Sequence, residues 1–293
     1  MTPRATVIIP TFDHGPLLRL AVESVRRQTE PRLEIVIVGD GAPAATEAIA
    51  RDLEALDPRV RWVGFPRDAR HGERHRDAVL RQAAGEIICY LADDDLWTPD
   101  HVETMWRLLG GAGADVATTL MVRVRPGGSL ALGPAGFVNL SSAHHRRLFA
   151  QPTSGFATGL SIVAHTRAFY DRLPFGWQTT PPGIPTDGWM WRQLLSAPGV
   201  RTVSECRATL LQFHGPPRRA WSAERRLAEM ARWFDALADG RLNADFRRLE
   251  REACRPSSLA WAWQVLWMQL HRRPMTGRPA MRLAAAVLNR PWR

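Results

Sequence analysis

Three carboxylates in a row, Asp93, Asp94 and Asp95, follow the apolar run Ile87-Ile88-Cys89-Tyr90-Leu91 and precede Leu96-Trp97-Thr98-Pro99. The run is β-branched at its start and bounded by Gly85, the pattern of a strand buried on both faces of a parallel sheet. Ligands of open α/β sheets bind outside the carboxyl ends of their strands. Three acids at such an end repel one another unless a cation or a hydrogen-bonding ligand stands among them. Oxygen donors suit Mg²⁺ or Mn²⁺ rather than zinc. The stretch therefore implies a hard metal holding an anionic substrate such as a phosphate ester. The same residues would serve equally as a solvated acidic turn with Asp94 or Asp95 capping the next helix. The triplet alone does not separate the two.

The elements that must position these acids alternate along the chain. Ala5–Ile9 reads as a buried strand stopped by Pro10, and residues 16–28 repeat Leu17, Leu18, Ala21, Val22 and Val25 at helical spacing. Leu33–Val38 is a second buried strand ending in Gly39-Asp40-Gly41. A helix over Ala44–Leu56, a strand over Val60–Phe65, a polar loop over 66–73 and a helix to Ala84 follow. Strands alternating with helices at this spacing predict βαβ units, a right-handed, mostly parallel sheet and an α/β fold class. Further on, the pattern predicts a strand within 114–124, a loop or hairpin at 126–136, a turn and strand within 151–164 and a short helix over 167–173. A long loop at 174–185 reads as an acceptor-side lid, delivering a helix that starts at Thr186-Asp187; a strand region spans 203–213.

Composition bounds the possibilities. With 293 residues, 45% hydrophobic and 23% charged, the chain can bury a substantial core. All 39 basic side chains are arginine, which excludes a P-loop lysine and Schiff-base or PLP chemistry. Three cysteines, Cys89, Cys206 and Cys254, odd in number and far apart, suggest no disulfide framework and a reducing compartment. With no signal peptide before the first strand and no run of about 18–20 apolar residues, a cytoplasmic protein is expected. The net charge of +10 is uneven, because residues 215–293 carry 16 Arg against 7 acids. No nucleic-acid reader motif accompanies those arginines, and no nucleic-acid partner is expected.

Three motifs in order, VIIPTFDHGPLLRLAVESVRRQT, EIVIVGDGA and GEIICYLADDDLW, resemble the amino-terminal half of family-2 glycosyltransferases. The resemblance covers Thr6 to Thr104 and extends more loosely to about His214. It implies a GT-A (Rossmann-like) fold and inverting transfer from a nucleotide sugar with Mn²⁺ or Mg²⁺, UDP being the default nucleotide. Pro10, Thr11 and Asp13 stand where the family's first loop lines the nucleotide, Asp13 replacing the usual Asn. Asp40 matches the base-contacting acid of a V-D-D-G-S-like turn, which here has Gly39 in place of one acid. Arg76, followed by Asp77, matches an Arg-Asn pair and would meet the diphosphate. Asp93 and Asp95 correspond to the ends of the DxD motif, the first toward the ribose and the last on the metal, with Asp94 between them on the donor side. Asp187 resembles the general base of an E-D motif whose Glu is Thr186 here. His214 stands where a late histidine completes the metal site, and Trp189 would stack on a sugar on the acceptor side.

Each residue also has a plainer role open to it. Asp40-Gly41 could end a strand, Asp13 could cap a helix, Arg76 could be solvated, and Asp187 could be an N-terminal helix carboxylate. Trp189 and Trp191 could pack in the core, and His214 could be structural.

The expected organisation is a nucleotide-sugar half (1–110), an acceptor half (111–215) and a basic, Trp-rich helical extension (216–293). Within the extension, residues 259–270 carry Trp261, Trp263 and Trp267 beside His271-Arg272-Arg273. This segment suits either an anionic membrane surface, placing the protein peripherally at the inner face, or packing on the core or a second subunit. The function expected is sugar transfer to an acceptor hydroxyl in polysaccharide or glycoconjugate synthesis. A nucleotide-sugar-binding scaffold without turnover is the alternative.

Overall fold

Four strands of β-branched and aliphatic residues make the first half of the sheet: Ala5–Thr11 (β1), Leu33–Asp40 (β2), Val60–Phe65 (β3) and Ile87–Tyr90 (β4). The computed structural model describes residues 2–133, 136–150, 159–213 and 215–254. Helices Gly15–Arg26 (α1), Ala44–Leu56 (α2) and Glu73–Leu80 (α3) connect these strands, which lie in the order β3-β2-β1-β4 and are parallel throughout. Val7, Ile8, Ile9, Ile35, Val36, Ile37 and Ile88 are wholly buried. Each such side chain contributes about 1.5–3 kcal/mol of hydrophobic stabilisation. This is the sequence pattern of a strand covered on both faces, as the apolar runs predict.

Two details of this half differ from the sequence expectation. The first strand does not stop at Pro10 but continues through it, pairing Pro10 with Val38 and Thr11 with Gly39. The Ile8 carbonyl faces β4, accepting from the Leu91 N–H. By the two-residue alternation of a strand Pro10 faces the same side, where β4 has already ended, so its missing N–H leaves no partner unsatisfied. The glycine that replaces an acid, which lies inside β2 because that strand runs on to Asp40, also has a structural cause. A Cβ on Gly39 would lie 2.1 Å from Cη2 of Trp62, because that ring lies directly across the β2 backbone.

The second half adds Leu96–Trp97 (β5), His101–Gly111 (α4), Val116–Val124 (β6), Leu130–Leu132 (β7), Ala143–Ala150 (α5), Val163–Thr166 (β8), Arg167–Asp171 (α6), Thr186–Ser196 (α7) and Thr202–Gln212 (β9). The sheet continues from β4 as β8-β6-β9-β5, with β7 on β6. β8 runs antiparallel to β4 and β6, whereas β6 and β9 are parallel. The result is a mixed α/β sheet with flanking helices. The two-residue β5 has no sequence signature and exists through its pairing with Leu210 and Leu211 of β9.

The described part of the extension packs on this sheet domain. Helix Ala223–Ala238 (α8) lies against α1 and buries Met230, Trp233 and Phe234, with the Arg27 guanidinium 4.6 Å from the Phe234 ring. Helix Asn243–Cys254 (α9) lies along β9 and buries Phe246 and Leu249. That return path brings Cys254 to Cys206 as a disulfide, leaving Cys89 buried and free. The expectation of no disulfide is therefore corrected, and cysteine usage no longer argues for a reducing compartment. A sequence separation of 48 carries no information about this proximity. His214 and the Trp-rich stretch 259–270 lie outside the described residues. Among the described residues no helix is long and apolar enough to cross a membrane.

Candidate active site

Because β2, β1 and β4 are parallel neighbours, their carboxyl ends share one rim, and the acid triplet leaves the last of them. Asp93 faces β1, accepting a hydrogen bond from Thr11 Oγ1 at 2.6 Å and standing 2.9 Å from His14 Nδ1. The Asp93 hydrogen bond lifts the pKa of His14 to about 8 against the opposing effect of burial, so a metal ion binding its ring nitrogen has to displace a proton. Asp94 Oδ2 accepts from Nη2 of Arg226, on α8, at 2.9 Å. Burial, with the Asp93 charge beside it, raises the pKa of Asp94. Asp95 turns inward: Ser161 Oγ donates to one oxygen at 2.8 Å and the Phe213 N–H to the other at 3.1 Å. It is 4% exposed.

Among the described residues, the set able to converge on one cation is therefore His14, Asp93 and Asp94, whose ligand atoms lie within 4.8 Å of one another. Asp95 lies outside that set: its two oxygens accept from Ser161, in the turn before β8, and from Phe213, just after β9. Asp94 is partly accessible and faces the Arg226 guanidinium. Two carboxylates beside one histidine at a strand end fit Mn²⁺ or Mg²⁺ in donor chemistry.

A second cluster surrounds Asp40 at the end of β2. Its Oδ1 accepts from the Asp68 N–H at 2.7 Å and lies 3.5 Å from His75 Nε2, while Arg67 Nη1 stands 2.9 Å from Oδ2. The Arg67 guanidinium lies 4.0 Å from the centre of the Phe12 ring, and His75 stacks on Phe65 at 4.4 Å. Phe12 is 38% exposed, a flat apolar surface open at the rim. Pro10 is half-buried beside it, whereas Asp13 is exposed on the loop between β1 and α1. Asp13 does not cap α1, whose N-cap is His14.

The floor of the site lies between α3 and α7. Arg76 is 6% exposed; its Nη2 donates to the His71 carbonyl at 2.9 Å and its guanidinium lies 4.8 Å from the Trp177 ring centre. Nε and Nη1 find no hydrogen-bond partner among the described residues. A solvated helix arginine is thereby excluded. Asp187, in the first turn of α7, is partly accessible and feels the Arg76 charge. Burial pushes its pKa up, outweighing Arg76 and a hydrogen bond from the Leu160 N–H. Trp191 is 1% exposed and packs on Tyr90 and Trp177, so it belongs to the core. Trp189 is half-buried with Arg192 4.2 Å from its ring centre.

The structure thus brings Thr11 and Asp93 together, and Arg76 with Asp187, and places Asp40 on the same rim. Sequence reading missed His14, Phe12, Arg67 and Arg226. The first two lie within the quoted loop motif, where their types gave a signal. Arg226 is 132 residues from its partner and gave none.

The chain has relatives among known proteins. A β-1,3-glucosyltransferase of Campylobacter jejuni, named for its GalNAc(5)-diNAcBac-PP-undecaprenol acceptor, is 30% identical over 93 residues, covering 32% of this chain and 30% of its own length. The chain spans about a third of the curated relatives that it matches. Staphylococcus aureus TarS 1–349 in complex with UDP-GlcNAc superposes with a TM-score of 0.58 at 15% identity, covering 80% of this chain and 66% of that one. The mannosyltransferase PcManGT of Pyrobaculum calidifontis, solved with GDP-Man and Mn²⁺, gives 0.54 at 19% identity over 98% and 80%. Both share the fold. Residues 6–172, from the first strand through the acid rim to the end of α6, match Glycosyl transferase family 2, and the chain belongs to that family.

Proposed function

We propose that this protein is a metal-dependent, inverting glycosyltransferase that moves a sugar from a nucleoside diphosphate, UDP by the family resemblance, to an acceptor hydroxyl. The observation that carries the reading is Arg76: a buried guanidinium with two nitrogens unspent among the described residues, beside the partly accessible carboxylate Asp187. A cation held out of water with unused donors is suited to a departing diphosphate. Asp187 takes the proton of the acceptor hydroxyl as its oxygen bonds to the anomeric carbon. The bond from that carbon to the diphosphate oxygen breaks on the opposite side, which inverts the centre. The raised pKa of Asp187 makes it a stronger base than an ordinary aspartate. Phe12, Arg67 and Asp40 receive the nucleobase, and Asp93 the ribose. A divalent ion, held by Asp94 with Asp93 and His14 alongside, would neutralise diphosphate charge when bound. Trp189 borders the acceptor side, and a polysaccharide or glycoconjugate is the acceptor class.

Thermal melting with Mn²⁺ and UDP, GDP, dTDP or CDP tests the reading. A nucleotide at about 100 times its dissociation constant adds about 2.7 kcal/mol, several degrees for a domain of this size. The expected result is a Mn²⁺-dependent shift with UDP that is lost in Asp94→Ala. No shift with any nucleotide overturns the donor site, and a shift with GDP alone reassigns the base.

A further inference from the structure

Among the described residues no carboxylate is buried so completely as Glu73, the first residue of α3, which has no exposure. An ionised carboxylate removed from water is costly unless its oxygens are fully engaged. Its hydrogen bonds among the described residues come from neutral groups. Oε2 accepts from the His71 N–H at 3.0 Å, and Oε1 accepts from both the Thr180 N–H at 3.3 Å and Thr186 Oγ1 at 3.2 Å. These donors belong to three separate segments: the turn before α3, the 174–185 loop, and the residue immediately before Asp187. Burial alone would raise the pKa of Glu73, but these hydrogen bonds outweigh it, and the group stays ionised.

We propose that Glu73 is the positioning residue for Asp187: its buried carboxylate gathers the 174–185 loop and the first turn of α7 onto α3 and sets a fixed negative charge beside the base. The inference rests on the reading of Asp187 as the base. The residue before Asp187 is Thr186, where the family resemblance leads one to expect a Glu. Thr186 spends its hydroxyl on Glu73, so a carboxylate stands next to this position after all, delivered by an element 113 residues away. The charged and polar groups facing Asp187 are Arg76 and Glu73 from α3, His71 from the preceding turn and the Leu160 N–H from the turn before β8. Arg76, Leu160 and His71 favour the carboxylate form. Burial is the largest influence against that form, and the Glu73 charge adds to it.

A structural tie and an electrostatic one differ in a measurable way. Glu73→Gln retains an oxygen for Thr180 and Thr186 but removes the charge. In protein labelled with ¹³C at aspartate carboxyls, the Asp187 resonance is the one absent from Asp187→Asn. Its titration midpoint is expected to fall by about 0.5–1 pH unit in Glu73→Gln, the influence of one like charge at a partly buried site. The double variant Glu73→Gln/Thr186→Glu returns a carboxylate to the adjacent turn and is expected to restore the midpoint; it also provides the readout if the single variant does not fold. Midpoints superimposable on wild type overturn the proposal. UDP release from a UDP-sugar reads the base assignment separately. Unimpaired release by Asp187→Asn removes the base, and with it the catalytic meaning of Glu73, even where the titration shifts.

Discussion

Arg226→Ala is expected to tighten the binding of Mn²⁺. Arg226 Nη2 lies 2.9 Å from Asp94 Oδ2, and the two side chains are 17% and 18% exposed. Asp94 belongs to the set proposed to hold the divalent ion, so an ion approaching it competes with a tethered guanidinium already in place. An ion pair with this degree of solvent contact is worth about 1 kcal/mol. Removing the competitor returns that energy to the metal, lowering its dissociation constant about fivefold. Isothermal titration of Mn²⁺ into the whole chain, without nucleotide, reads the effect directly, and raising the salt should shrink it. Arg225→Ala is the control, since that neighbour stacks 3.8 Å from the Trp221 ring centre rather than reaching the acids. Equal or weaker Mn²⁺ binding by Arg226→Ala would refute the competition. It would mean that Arg226 holds Asp94 in its ligating position, or that the ion binds elsewhere.

Two further predictions concern the scaffold. Gly39→Ala places a methyl against the Trp62 ring in a central strand and is expected to cost about 2–3 kcal/mol by overpacking. In a Trp62→Leu background the same change should be nearly neutral, and equal costs in the two backgrounds, measured by urea unfolding, count against the contact. Asp57 is held below the usual carboxylate range by hydrogen bonding with Arg59, supported by Arg26, despite the opposing effect of burial. A depressed folded-state pKa contributes stability that is present above the unfolded value of about 3.9 and lost as pH falls below it. Between pH 5 and 2.5, on the order of the range in which carboxylates titrate, Asp57→Asn should therefore lose less stability than wild type; parallel slopes would exclude the linkage.

What the sequence reveals about this molecule is what lies close together along it. The runs Ala5–Ile9, Leu33–Val38 and Ile87–Leu91 identify their strands because burial on both faces leaves a continuous apolar signature. Parallel order then places Thr11, Asp40 and the acid triplet on one rim without further information. The helix start at Thr186-Asp187 is equally local. The direction in which each acid of the triplet faces is not, since three adjacent acids are chemically alike. Asp95 is turned inward by Ser161 and Phe213, 66 and 118 residues away. The same reason hides Arg226, the Cys206–Cys254 pairing and the role of Glu73. The two departures from the family motifs, Gly39 and Thr186, look like losses when read along the chain. In space each is matched by a distant residue: the Trp62 ring occupies the volume of a side chain at Gly39, and the Glu73 carboxylate accepts the Thr186 hydroxyl. A departure so matched is weaker evidence for a lost activity than the motif alone suggests, and this favours the enzyme over the scaffold reading.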